Sequence, residues 1–183
     1  MPHTVQVPSP DRLLRVWETG QGAPPDRRAE LVLAACYPGV DPTVLAVLPA
    51  GEHDRLLIAA HRAMFSPVYD SVADCLHCGT LLEAELPLDE MLGAGSDLDA
   101  VLSVGLTCPE CGTSSGLVLD PLVFLWADID DWAWRALAEV HTLASRYGWD
   151  EDAILAMSAG RRGAYLTLLA AGRDHREPAG ERP

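Results

Sequence analysis

Four cysteines carry the clearest chemistry in this sequence. They form two short knuckles, Cys75-Leu-His-Cys78-Gly79 and Cys108-Pro-Glu-Cys111-Gly112, with 29 residues between Cys78 and Cys108. Two residues between cysteines let a tight turn aim both sulfurs at one ion. The glycine after each pair can take a positive φ and bring backbone N–H groups toward the thiolates. Four thiolates in a tetrahedron suit Zn²⁺, with iron as the other metal of the same geometry. The expectation is one structural zinc held by Cys75, Cys78, Cys108 and Cys111, and the alternative is four reduced cysteines without metal.

Other candidate ligands are weaker. His77 sits inside the first turn, where a solvated or supporting role is usual. Cys36 lies in an apolar helical run and reads as a small buried hydrophobe. His53, His61 and His141 each stand alone on an expected helix, and Glu110 reads as a turn residue. A catalytic zinc needs an open coordination position, which four cysteines do not leave. The sequence also lacks a phosphate-cradling glycine loop, a nucleophile elbow and a His-Glu-x-x-His helix, so no catalytic residue and no enzyme activity are expected.

The knuckles need elements to position them. Leu81–Leu88, Ala100–Leu106 and Gly116–Leu119 read as short strands, with an acidic connection at Asp89–Asp99. Before them, short helices are expected over Asp11–Trp17, from an N-cap at Asp26 to Cys36, from Asp41-Pro42 to Pro49, and over Glu52–Phe65. After them, Asp120-Pro121 opens a long helix to Tyr147, stopped by Gly148. A short helix follows Asp150, and a last one carries Tyr165, Leu168 and Leu169. The expected fold class is α+β, mainly α-helical, with a small zinc-ribbon-like β module inserted between amino-terminal short helices and a carboxy-terminal long-helix bundle. The expected boundaries are 1–10 (flexible), 11–70 (helical), 71–119 (knuckle module), 120–171 (helical) and 172–183 (flexible tail).

Charge limits the partners. The chain of 183 residues carries a net charge of −14, and all 13 of its basic residues are arginine. None falls between Arg62 and Arg135, a stretch with 13 carboxylates that would repel a phosphate backbone. Nucleic acid is therefore excluded as an expected partner. No apolar run reaches the roughly 18 residues of a membrane span, and the amino terminus has no signal-peptide pattern. The expected compartment is the cytoplasm, where paired thiols stay reduced.

Two groups of side chains are candidates for partner binding. On a helix from Pro121, Trp134 falls about 80° from Trp126, and Trp132 about 120° away on the other side. Both cannot share one narrow apolar stripe, so at least one belongs at its margin. Arg161 and Arg162, with Arg173, form a basic group expected to pair with Asp150–Asp152, or alternatively to meet an acidic partner.

Three classes of protein use such knuckles: a rubredoxin-like electron carrier, a nucleic-acid-binding zinc ribbon, and a structural zinc module in an adaptor or assembly protein. The knuckles resemble those of rubredoxin, yet Gly79–Thr107 contains no aromatic residue and the helical flanks have no place there. The runs Asp120-Pro-Leu-Val-Phe-Leu-Trp-Ala-Asp-Ile, Glu139-Val-His-Thr-Leu-Ala-Ser-Arg-Tyr-Gly-Trp-Asp-Glu-Asp-Ala-Ile-Leu-Ala-Met-Ser, Arg161-Arg162 and Ala164-Tyr-Leu resemble another family. It comprises the T-even-phage-type baseplate hub assembly chaperones of contractile tails and contractile injection systems. The resemblance extends upstream through Arg28-Ala-Glu-Leu and Gly51–Leu57. It implies a non-enzymatic role in building the baseplate hub, with hub, spike or other tail proteins as partners. The departure is Ala-Gly-Arg-Arg-Gly after Ser158, where the family has a longer arginine run.

Overall fold

A computed structural model describes residues 4–88 and 103–174. Over these residues the chain is an α+β protein, mainly helical, with two antiparallel hairpins between two helical regions. Helix α1 (Pro10–Gly20) starts at Ser9, whose Oγ accepts from the Arg12 N–H, and buries Leu13, Leu14, Val16 and Trp17. Helix α2 (Pro25–Cys36) begins before Asp26, which lies in its first turn and makes no capping bond. Pro25 explains the earlier start: its φ fits the first helical position, where its missing N–H costs nothing. Helix α3 (Pro42–Leu45) is capped by Asp41, whose Oδ1 accepts from the N–H and hydroxyl of Thr43. Helix α4 (Ala50–Met64) buries Leu57, Ile58, Ala60 and His61.

Residues 4–9, within the segment expected to be flexible, are held against the core. The Gln6 N–H bonds the Cys36 carbonyl at 2.8 Å, Val5 packs on the core and Pro8 is buried.

The long helix α5 (Pro121–Tyr147) organises the rest. Asp120 accepts from the Leu122 N–H, and Gly148 at φ 69° ends the helix in the left-handed conformation. Its 27 residues span about 40 Å, and α1, α2 and α4 pack along it. So do α6 (Glu151–Leu155) and α7 (Ala159–Asp174). Leu122, Leu125, Trp126, Ile129, Ala133 and Val140 are buried as one face, as the periodicity requires. Helix α7 continues to Asp174, into the segment expected to be a flexible tail; the remainder of that tail lies outside the described residues.

The hairpins pair β1 (Val68–Asp74) with β2 (Leu81–Pro87), and β3 (Ser103–Thr107) with β4 (Ser114–Val118). Strand β1 was not expected from the sequence and begins before residue 71. The expected connection Asp89–Asp99 lies outside the described residues. The first hairpin is rooted in the helical core: Leu86 and Leu88 are buried there, and the Tyr69 ring stacks on Phe124 at 4.4 Å. No helix among the described residues is long and apolar enough to cross a membrane.

Candidate metal centre

Each knuckle is the turn of one hairpin. The ladders close at Asp74↔Leu81 and Thr107↔Ser114, leaving six residues in each connection. The two turns are built alike. In the first, the Gly79 N–H bonds the Cys75 carbonyl and the Cys75 N–H bonds the Thr80 carbonyl, both at 2.8 Å. In the second, Gly112 bonds Cys108 and Cys108 bonds Thr113, both at 3.0 Å. Gly79 and Gly112 take φ values of 73° and 70°, where a Cβ would strain the backbone.

The hairpins meet turn to turn. Cys75 Sγ lies 3.8 Å from Cys111 Sγ, and Cys78 Sγ lies 3.6 Å from Cys108 Sγ. All four sulfurs fall within 4.8 Å of one another. A tetrahedron with metal–sulfur bonds of about 2.3 Å has edges of about 3.8 Å. The observed spacing fits that figure, and each close pair joins one turn to the other. The four cysteines can therefore hold one metal ion that links the two hairpins. Cys75 and Cys108 are buried with Leu82, whereas Cys78 is exposed. Leu76 at the tip is 90% exposed.

The turns also prepare the sulfurs electrostatically. The Thr113 hydroxyl, then its backbone N–H, stabilise the Cys111 thiolate and bring its pKa down to about 6. Thr80 acts in the same way on Cys78, whose Sγ lies 3.3 Å from the Thr80 hydroxyl, and lowers its pKa. For Cys108 the Cys111 N–H pulls downward, but burial and the neighbouring thiols outweigh it and push the pKa to about 11. A cation held among the four would let the last thiols ionise together.

The remaining candidates separate. His77 and Glu110 are exposed and outside the sulfur cluster. Cys36 is buried, 4.0 Å from the Met64 sulfur, and burial raises its thiol to about 12. It is a core residue, as expected. Trp134 is 61% exposed, with its ring edge-on to Trp17 at 5.7 Å. Trp132 is half-buried and turns into a surface cleft. Arg161 is exposed, 6.0 Å above the Tyr165 ring.

Arg162 requires a correction. It is only 5% exposed, pairs with Glu139 at 2.7 Å and donates to the Met157 carbonyl at 2.7 Å. It is an internal brace between α5 and α7 and does not pair with Asp150–Asp152. The sequence also gave no sign of the role of His61. Its Nε2 lies 2.6 Å from Asp128 Oδ2, in a wall of Phe65, Tyr69 and Phe124. Asp128 is 67 residues away, and no local spacing reveals such a partner.

Comparison with known protein families, with curated proteins and with solved structures finds no match to this chain.

Proposed function

We propose that this chain is a non-enzymatic assembly factor or structural component for the baseplate hub of a phage-like contractile injection system, with one structural zinc. Four thiolates close the zinc shell, so the ion has no position for a substrate or an activating water. Its work is mechanical: it holds the second hairpin on the first. The baseplate role comes from the resemblance of most of the chain, above all residues 120–166, to the hub chaperones.

The observation that favours protein binding is Trp134. A tryptophan left 61% exposed on the rigid central helix costs little to dock and supplies the large apolar contact on which interfaces concentrate their energy. The chain's net charge of −14 fits a protein partner and opposes a nucleic acid.

The test is a pull-down of baseplate proteins with wild type and Trp134→Ala, with metal analysis of both. Wild type should carry one zinc per chain and capture a hub component. Trp134→Ala should keep its metal and melting temperature while losing that component. Failure of wild type to capture any tail protein ends the baseplate reading. Iron with a reversible one-electron couple favours the rubredoxin-like alternative.

A further inference from the structure

Away from the metal centre, a cleft of ≈ 850 Å³ lies between the chain entering α1, the end of α4, Trp132 of α5 and the α6–α7 turn. We propose that this cleft is a docking groove for an apolar, arginine- or lysine-flanked segment of a partner protein. The proposal deepens the assembly reading and rests on it.

The lining suits an apolar guest. Val7, Met64, Phe65, Trp132, Leu155 and Met157 line the cleft with large apolar side chains. Two methionines make it adaptable, since unbranched thioether chains repack around different side chains at little cost. Val7 is 61% exposed at the lip, so apolar surface continues out of the cleft.

The polar groups of the cleft point the same way. A small-molecule site needs convergent polar groups free to fix a ligand. Those lining this cleft are largely engaged already. Asp11 is paired with Arg15 at 3.0 Å, and Arg162 with Glu139 and the Met157 carbonyl. The hydroxyls of Ser9 and Ser158 accept from the N–H groups of Arg12 and Arg161. The free energy left to gain here is apolar burial, which protein side chains provide.

Charge selects the flanks of the guest. Both guanidiniums lining the cleft are tied to carboxylates, whereas Asp152 lines it as an exposed carboxylate with exposed Glu151 beside it. With Glu139 counted, three carboxylates (Asp11, Asp152, Glu139) stand against two guanidiniums (Arg15, Arg162) at the cleft, and on a chain of net charge −14 that balance favours a cationic guest. An apolar segment with basic neighbours gains from both features, and an acidic one is repelled.

The experiment selects short random peptides displayed on phage against the purified full-length protein, then measures the winners by fluorescence anisotropy at low and high salt. The expected winners carry large apolar residues beside arginine or lysine and weaken as salt rises. Val7→Glu and Trp132→Ala should each lower their affinity by about tenfold or more. Val7 is exposed, so its variant keeps the fold even if Trp132→Ala does not. Acidic winners, no winners, or winners indifferent to Val7→Glu overturn the proposal. Winners that depend on Trp134 instead overturn the cleft but leave the assembly reading intact. Cleft-bound basic peptides with no baseplate protein captured from the pull-down support the groove and refute the baseplate role. A dimer in sedimentation that Val7→Glu dissociates makes the occupant a second copy and also overturns the proposal.

Discussion

Replacing Cys108 by serine should detach one hairpin and leave the other in place, because the two are held by different forces. Strands β3 and β4 contribute five residues each. Ordering ten residues costs at least about 10 kcal/mol of backbone entropy. On the described part of this hairpin, Leu106 is half-buried, while Gly105, Thr107, Ser114, Gly116 and Val118 are exposed. A two-stranded hairpin is at best marginally stable in water on its own, and a structural zinc, where one binds, supplies on the order of 10 kcal/mol. Strands β1 and β2 do not depend on the metal in this way, because Tyr69, Leu86 and Leu88 anchor them to the helices. Hydrogen exchange with mass spectrometry, on wild type, chelated protein and Cys108→Ser, reads the difference. Amides of 103–118 should lose protection, those of 68–72 and 84–88 should keep most of it, and α5 should not change. Global unfolding on metal loss, or unchanged protection of 103–118, refutes the reasoning.

Three further outcomes are expected. Cys111 is held well below an ordinary thiol, at about 6, by Thr113; the thiolate's contribution is therefore present above the ordinary thiol range and lost as pH falls through about 6. Thr113→Val should move the midpoint of acid-induced metal release to higher pH, measured with a chromogenic zinc indicator. Cys36, pushed to about 12 by burial, should resist iodoacetamide at neutral pH in chelated protein while the knuckle cysteines react, and should label only on unfolding, as read by peptide mass mapping. Gly20→Ala should lower stability by about 1–2 kcal/mol in urea titration, because its Cβ would meet the Trp126 ring, with Cζ3 and Cζ2 at 2.8 and 3.0 Å; the overpacking penalty exceeds the helix-propensity gain of about 1 kcal/mol.

What could be read from the sequence was local. The knuckles, the Asp41 and Asp120 caps and the Gly148 stop are encoded within a few residues, and each is found where its chemistry requires. Trp132 and Trp134 leave the buried stripe in different directions, as their angular positions require, one into a cleft and one toward solvent. Features that depend on distant partners were hidden. Strand β1 has the mixed run Val-Tyr-Asp-Ser-Val-Ala-Asp, which shows little apolar excess and becomes a strand by pairing with β2. Arg162 seemed matched to Asp150–Asp152 because they are near in sequence. The α5–α7 packing instead brings Glu139 to it from 23 residues away.

The same distinction explains how the metal module is joined to the helices. At the root of the first hairpin, Tyr69 stacks on Phe124 of α5, and both rings lie against His61 of α4. His61 is fully buried and bonds Asp128, one turn further along α5 from Phe124. Three elements distant in the chain are thus fixed by one aromatic cluster and one polar contact. The polar contact adds direction, because the imidazole has to face Asp128 to keep its bond, and rotating α4 about its axis would break it. These contacts set the hairpin at a defined angle to α5 without help from a metal. An ion held by the four cysteines would therefore have only one hairpin left to order.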